Sequence, residues 1–141
     1  MPQVVFIVAY DGMSRTVVDF AVEKAKREGA RLYIVDVIEW TPFKFLTPDE
    51  LAVRHVHLQA ELALAGASVL PPILDYVRAL GVAADGEVRN GDAVDTLTSI
   101  ATEQDADMIF CGRTDKLSAP VVGSVASGLV QCAPLPVVIV P

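Results

Sequence analysis

The fold is decided by Val4-Val-Phe-Ile-Val-Ala-Tyr10, the helical stretch from Ser14 to Glu28, and then Leu32-Tyr-Ile-Val-Asp-Val-Ile38. Both apolar runs are continuous rather than alternating, the pattern of strands covered on both faces. Between them Val17, Val18, Ala21, Val22 and Ala25 share one helical stripe, Glu23, Lys24, Lys26 and Arg27 lie mostly opposite, and Gly29 supplies a C-cap. Strand, helix and strand in this order predict a right-handed crossover between parallel strands.

The alternation continues along the chain. Val82 to Val88, Asp107-Met-Ile-Phe-Cys111 and Val137-Val-Ile-Val140 are three further apolar runs. The first of these alternates, with Asp85 and Glu87 on one side, and so reads as an edge strand. Thr47 caps a helix whose first turn is Pro48-Asp49-Glu50 and whose Ala/Leu-rich body runs to Ala67. Pro71-Pro72 interrupts or restarts it, Ile73 to Leu80 continues it, and Gly81 closes it. Asp92 opens a helix to about Glu103, and Ser124 opens another to about Cys132. The expectation is one α/β domain over residues 1–141, a five-stranded parallel sheet with helices on both faces.

At 141 residues the chain is long enough for a sizeable core, and 52% apolar with 21% charged residues excludes intrinsic disorder. The balance of 11 Lys+Arg against 18 Asp+Glu gives a net charge of -7 without a basic cluster. Neither nucleic acid nor an anionic membrane surface suits such a chain. The apolar start has no basic lead and no small-residue cleavage site, and it runs directly into Asp11-Gly12, so it reads as a strand rather than a signal peptide. No uninterrupted apolar run reaches the roughly 18 residues of a membrane span. Cys111 and Cys132 fall in segments expected to be buried and read as free thiols of a cytoplasmic protein.

Ligands of open α/β sheets bind at the carboxyl ends of strands where the strand order reverses. Asp11-Gly12 leaves the first strand there, Asp36-Val37 finishes the second, and the fourth runs into Gly112-Arg113-Thr114-Asp115-Lys116. That loop ends at Gly123-Ser124, where a helix begins with unpaired N–H groups and a positive dipole end. Ser124 is therefore either a phosphate ligand or a plain N-cap. Neither GxxxxGK[ST] nor GxGxxG is present.

Five pieces in order carry a resemblance: Tyr10-Asp11-Gly12, Gly91-Asp92-Ala93, Ala106-Asp-Met-Ile-Phe-Cys-Gly112, Gly123-Ser124-Val125, and Cys132-Ala-Pro-Leu-Pro-Val-Val-Ile-Val140. From Val4 to Val140 the chain resembles the universal stress protein family. The resemblance implies strand order 3-2-1-4-5, an adenine nucleotide alpha hydrolase-like fold, and a homodimer pairing through Val137 to Val140. It also implies an adenine nucleotide, ATP or AMP with or without Mg. Asp11 would contact ribose or metal, the Val37 backbone would read the adenine, and Gly112, Gly123, Ser124 and Val125 would hold the phosphates. ATP-binding members carry Gly-x-x-Gly, nine residues, then Gly-Ser/Thr. Here Asp115 replaces the second glycine, only Lys116 to Val122 separate it from Gly123, and Met13 stands where a small serine is common. Arg113 and Lys116 flank Asp115 and would offset its charge.

Other residues carry weaker readings. His55 and His57 point about 200° apart on a helix and do not share a metal. Asp11 and Asp36 end neighbouring strands but have no nucleophile or histidine beside them in sequence. Ser14 and Thr16 read as caps of the first helix, and Cys111 has no basic neighbour to make it a thiolate. Trp40, Phe43 and Phe45 read as packing under the long helix, a lid over the adenine, or a dimer contact.

The expected function is a cytoplasmic stress-response regulator that binds an adenine nucleotide and hydrolyses it slowly if at all. The alternative is a nucleotide-independent dimeric interaction module of the same fold, with no cofactor and a protein partner left unspecified. Asp115 discriminates between them, because a carboxylate about 5 Å from a phosphate charge costs roughly 3 kcal/mol at an effective dielectric near 20. Asp115→Gly is therefore expected to tighten ATP binding about tenfold or more by titration calorimetry. An unchanged affinity would remove the repulsion argument.

Overall fold

The computed structural model describes residues 3–12, 14–39, 47–113 and 124–141. Five strands and five helices alternate almost throughout: β1 (Val5–Ala9), α1 (Thr16–Glu28), β2 (Arg31–Ile38), α2 (Pro48–Ser68), α3 (Leu70–Ala79), β3 (Ala84–Asn90), α4 (Ala93–Glu103), β4 (Met108–Gly112), α5 (Ser124–Cys132) and β5 (Val137–Val140). The strands form one sheet in the order β3-β2-β1-β4-β5. Every neighbouring pair is parallel.

The two-sided burial of β1 follows from its alternation. Phe6 and Val8 pack with Val18 and Val22 of α1 and Ile73 and Val77 of α3. Val5 and Ile7 face the other layer, with Leu97 and Ile100 of α4 and Leu129 of α5. Phe6 and Phe110 cross the β1–β4 pair with ring centroids 5.1 Å apart. The Asp107 carboxylate accepts the Val5 N–H at 2.9 Å and fixes where the two strands start together. On the outer side, the Tyr76 hydroxyl donates to Asp19 at 2.6 Å and Arg15 lies 4.5 Å over the Tyr76 ring, which ties α3 to α1.

Thr47 caps α2 by accepting the Glu50 N–H at 3.2 Å. The long helix breaks at Val69, one residue before α3 and just ahead of Pro71-Pro72. The edge strand begins two residues later than its apolar composition predicts, at Ala84, because Val82 and Ala83 still belong to the connection that lays Arg78 against the Ala84 carbonyl at 2.8 Å. Cys132 is exposed, unlike the expectation, since it sits at the outer end of α5, whereas Cys111 is buried in β4. Ser14 turns its hydroxyl to the Thr16 N–H at 3.3 Å just ahead of α1, although Arg15 is the N-cap residue. The aromatic cluster Trp40, Phe43 and Phe45 lies outside the described residues.

The two edges of the sheet differ in kind. β3 carries Asp85, Glu87 and Arg89, with Glu87 paired to Arg89 and accepting from the Tyr33 hydroxyl. Charges on an edge strand discourage further pairing. β5 is Val-Val-Ile-Val and carries no charge.

A glycine is required at one point of this sheet. A Cβ on Gly86 would sit 2.2 Å from the Ile34 carbonyl oxygen and 3.1 Å from Leu70 Cδ1. Gly86→Ala is expected to lower stability by about 1–3 kcal/mol in urea unfolding. Gly66 in α2 meets nothing within 4 Å, and Gly66→Ala is expected to raise stability by about 0.5–1 kcal/mol.

Candidate functional site

The chain leaves β1 toward β2 on one side and reaches β4 on the other, so a crevice opens at their carboxyl ends. The turn out of β1 is closed locally. Gly12 adopts φ +84°, and its missing Cβ leaves room for Val69 where α2 meets α3. The Asp11 carboxylate accepts the Ser14 N–H at 2.9 Å, which holds Asp11 at the mouth of the crevice.

The crevice is a cavity of about 390 Å³, within the range of small-molecule sites. Asp11, Val37, Gly112, Arg113 and Val125 all line it. Ser124 heads α5 immediately before Val125, whereas Asp115 and Gly123 lie outside the described residues. The structure thus brings together five of the eight sequence-selected positions, from four different segments of the chain. Tyr10, Glu39, Leu97, Val140 and Pro141 also line the cavity and were not selected from sequence. Leu97 lies on the buried side of α4 with Ala93, Ile100 and Ala101. Val140 and Pro141 were reachable only through the strand order that the resemblance implies, which puts the end of β5 beside the end of β4.

The walls divide by chemistry. Val35, Val37, Leu97, Val125 and Val140 give an apolar interior, while Asp11, Glu39 and Arg113 give charge. Arg113 is exposed, and its N–H donates to the Val140 carbonyl at 2.9 Å. Glu39 accepts the Ala93 N–H at 3.1 Å, and Asp92 accepts the Asp95 N–H at 3.0 Å. Two carboxylates of the chain itself therefore already occupy the Ala93 and Asp95 N–H groups at the N-terminus of α4.

A second carboxylate stands behind Asp11. Burial first, and then the Asp11 charge, raise the half-buried Asp36 above its ordinary value. Burial, followed by Asp11, also raises the Tyr10 phenol. Among the described residues no three His, Cys, Asp or Glu side chains converge as a metal site.

Comparison with known proteins gives a consistent picture. The family model described as Universal stress protein family matches residues 3–141. No curated protein matches. Among solved structures, the chain is similar to the universal stress protein UspA from Lactobacillus plantarum, with TM-score 0.84 and 24% identity, covering 100% of this chain and 99% of that one. It is similar to the universal stress protein from Archaeoglobus fulgidus in complex with dAMP, with TM-score 0.67 and 20% identity over 100% of both chains. A universal stress protein in complex with cAMP has TM-score 0.65 and 21% identity, covering 99% of this chain and 98% of that one. Likeness at these identities establishes the fold.

The raised Asp36 has a sign that can be tested. A carboxyl with a raised folded pKa contributes stability fully below its unfolded value near 3.8 and loses it as pH rises through the folded value. At neutral pH the charged Asp36 thus opposes folding. Asp36→Asn is expected to raise the thermal midpoint at pH 7, with the gain shrinking toward zero below about pH 4. A gain independent of pH would contradict the electrostatic cause.

Proposed function

The chain belongs to the universal stress protein family, and from that premise we propose that it is a regulator that binds an adenine nucleotide in the crevice between β1 and β4. The observation that carries this reading is the convergence of Asp11, Val37, Gly112, Arg113 and Val125 on one cavity with an apolar interior and a charged rim. The relatives described with dAMP and cAMP support the ligand class.

The polarity of the cavity gives the ligand an orientation. The base packs in the apolar part beside Val37 and Leu97, where Glu39 and Asp92 already take the Ala93 and Asp95 N–H groups and repel an anion. The phosphate lies toward Arg113 and the start of α5, a helix N-terminus next to the only cation among the described lining residues. Asp11 accepts from the ribose hydroxyls. A Mg²⁺ ion would be held by Asp11 together with the ligand's own phosphates, as one carboxylate suits that ion. Hydrolysis is expected to be slow at most, since the sequence carries no phosphate-clamping lysine of the GxxxxGK[ST] type. Asp115 in the following loop favours AMP over ATP.

The apolar edge supplies the partner. The Ile109 N–H donates to the Pro136 carbonyl and the Arg113 N–H to the Val140 carbonyl, so the alternate residues Val137 and Ile139 turn their backbone groups outward. The reading is a cytoplasmic homodimer paired through β5. A nucleotide-independent dimer of the same fold is the second reading, favoured by Asp115 and the shortened loop.

Titration calorimetry with AMP, ATP and buffer tests the ligand. AMP is expected to bind one per chain and more tightly than ATP. Asp11→Asn keeps an acceptor for the Ser14 N–H but loses the charge, and is expected to weaken AMP about tenfold. Absence of binding, together with no nucleotide released by acid from undialysed protein, would favour the second reading. Ile139→Pro removes only an outward N–H and is expected to halve the mass of the dimer in sedimentation.

A further inference from the structure

α2 has an unusual outer surface. Its inward side is Arg54, Leu58, Leu62 and Ala65, half-buried or buried at a spacing of three or four residues. The opposite side is Val53, Val56, Ala60, Ala63 and Ala67, which repeat at intervals of three, four, three and four. That is the spacing of the a and d positions of a coiled-coil seam. All five are exposed, Val53 at 56% and Val56 at 63%, and Leu64 flanks them at 65%. No charged side chain interrupts the stripe between Val53 and Ala67.

We propose that this face of α2 is an interface with a second copy of the chain, made by antiparallel pairing of the two α2 helices. The distribution of side-chain size on the seam identifies the occupant. Both valines are in the amino-terminal half and all three alanines in the carboxyl-terminal half. When two copies overlap along their full length in antiparallel sense, Val53 meets the partner's Ala63 and Val56 meets the partner's Ala60. Each large side chain then fills the space over a small one, at an interaxial distance of about 8–10 Å. Parallel pairing would stack valine on valine and alanine on alanine and splay the helices.

A membrane is the poorer occupant. α2 and α3 together are long and apolar enough to span one. However, α3 spends Leu70, Ile73, Leu74 and Val77 on the core, and α2 carries Asp49, Glu50 and Glu61 against Arg54. An acidic helix without a basic face is repelled by anionic lipid. The area sets the strength: a 21-residue helix is about 31 Å long, and one helix pair lies at the small end of specific interfaces. Pairing is therefore concentration-dependent. It does not compete with β5, because α2 packs beside β3 at the opposite edge of the sheet.

Analytical ultracentrifugation of the full chain over a wide concentration range tests this. The weight-average mass of the wild type is expected to rise with concentration, doubling from one chain, or growing past a doubling from a β5-paired dimer, which presents two α2 faces. Val56→Glu, at an exposed position, is expected to abolish that step with the thermal midpoint unchanged, whereas Thr102→Glu on α4 leaves it in place. Ala60→Val is expected to weaken association about tenfold by setting valine against valine, and adding Val56→Ala restores it. Identical mass curves for wild type and Val56→Glu would overturn the proposal. Tighter association of Ala60→Val would overturn the antiparallel register.

Discussion

Everything in this molecule hangs on the handedness of crossovers around one strand. β1 is buried on both faces and pairs in parallel with β2 and β4. Parallel neighbours demand crossovers, and crossovers are right-handed. The chain must therefore place α1 on one face as it moves to β2 and α4 on the other as it arrives at β4. The helices part above the carboxyl end of β1, and the sheet cannot close the gap between them. The cavity is thus a product of topology before any side chain is chosen to line it.

The residues around that gap then give it direction. The α4 N-terminus, left open, would compete for anions, but Glu39 and Asp92 take its Ala93 and Asp95 N–H groups with hydrogen bonds of 3.1 and 3.0 Å. Arg113 lies on the other side, at the end of β4. A ligand with one flat apolar end and one anionic end meets a cavity polarised in the matching sense. The Asp11–Asp36 pair adds tension beneath the rim, because burial and mutual repulsion hold Asp36 away from its ordinary ionisation.

Much of this was legible from the chain alone. Continuous apolar runs in β1, β2 and β4 announce two-sided burial, and the charges of β3 announce an edge, because burial acts directly on composition. The line-up of Asp11, Val37 and Gly112 was reachable because strand ends are local events that a parallel sheet brings to one side, whereas Val125 at the start of α5 came only from the family resemblance. Glu39 was less accessible: its role depends on a contact with Ala93, 54 positions away. Pro141 reaches the cavity only through strand order. Cys132 misled because an apolar helix such as α5 has an outer side as well as an inner one, and position at the helix end, not composition, exposes it. The start of β3 shifted because valine and alanine serve a tight connection as readily as a strand.

β5 belongs to two structures at once. Its outer side is the uncharged edge of the sheet, and its last residue, with Pro141, forms part of the cavity wall, tied to Arg113 through the Val140 carbonyl at 2.9 Å. A molecule seated in the cavity meets Val140 and Pro141, while a chain added at the edge meets the outward backbone of Val137 and Ile139 on the same short strand. Where the proposed ligand and the proposed β5 partner are coupled through this strand, thermodynamic reciprocity requires each to change the other's affinity by the same factor. On the proposed reading, the affinity measured for a small ligand would then depend on how much protein is in the tube.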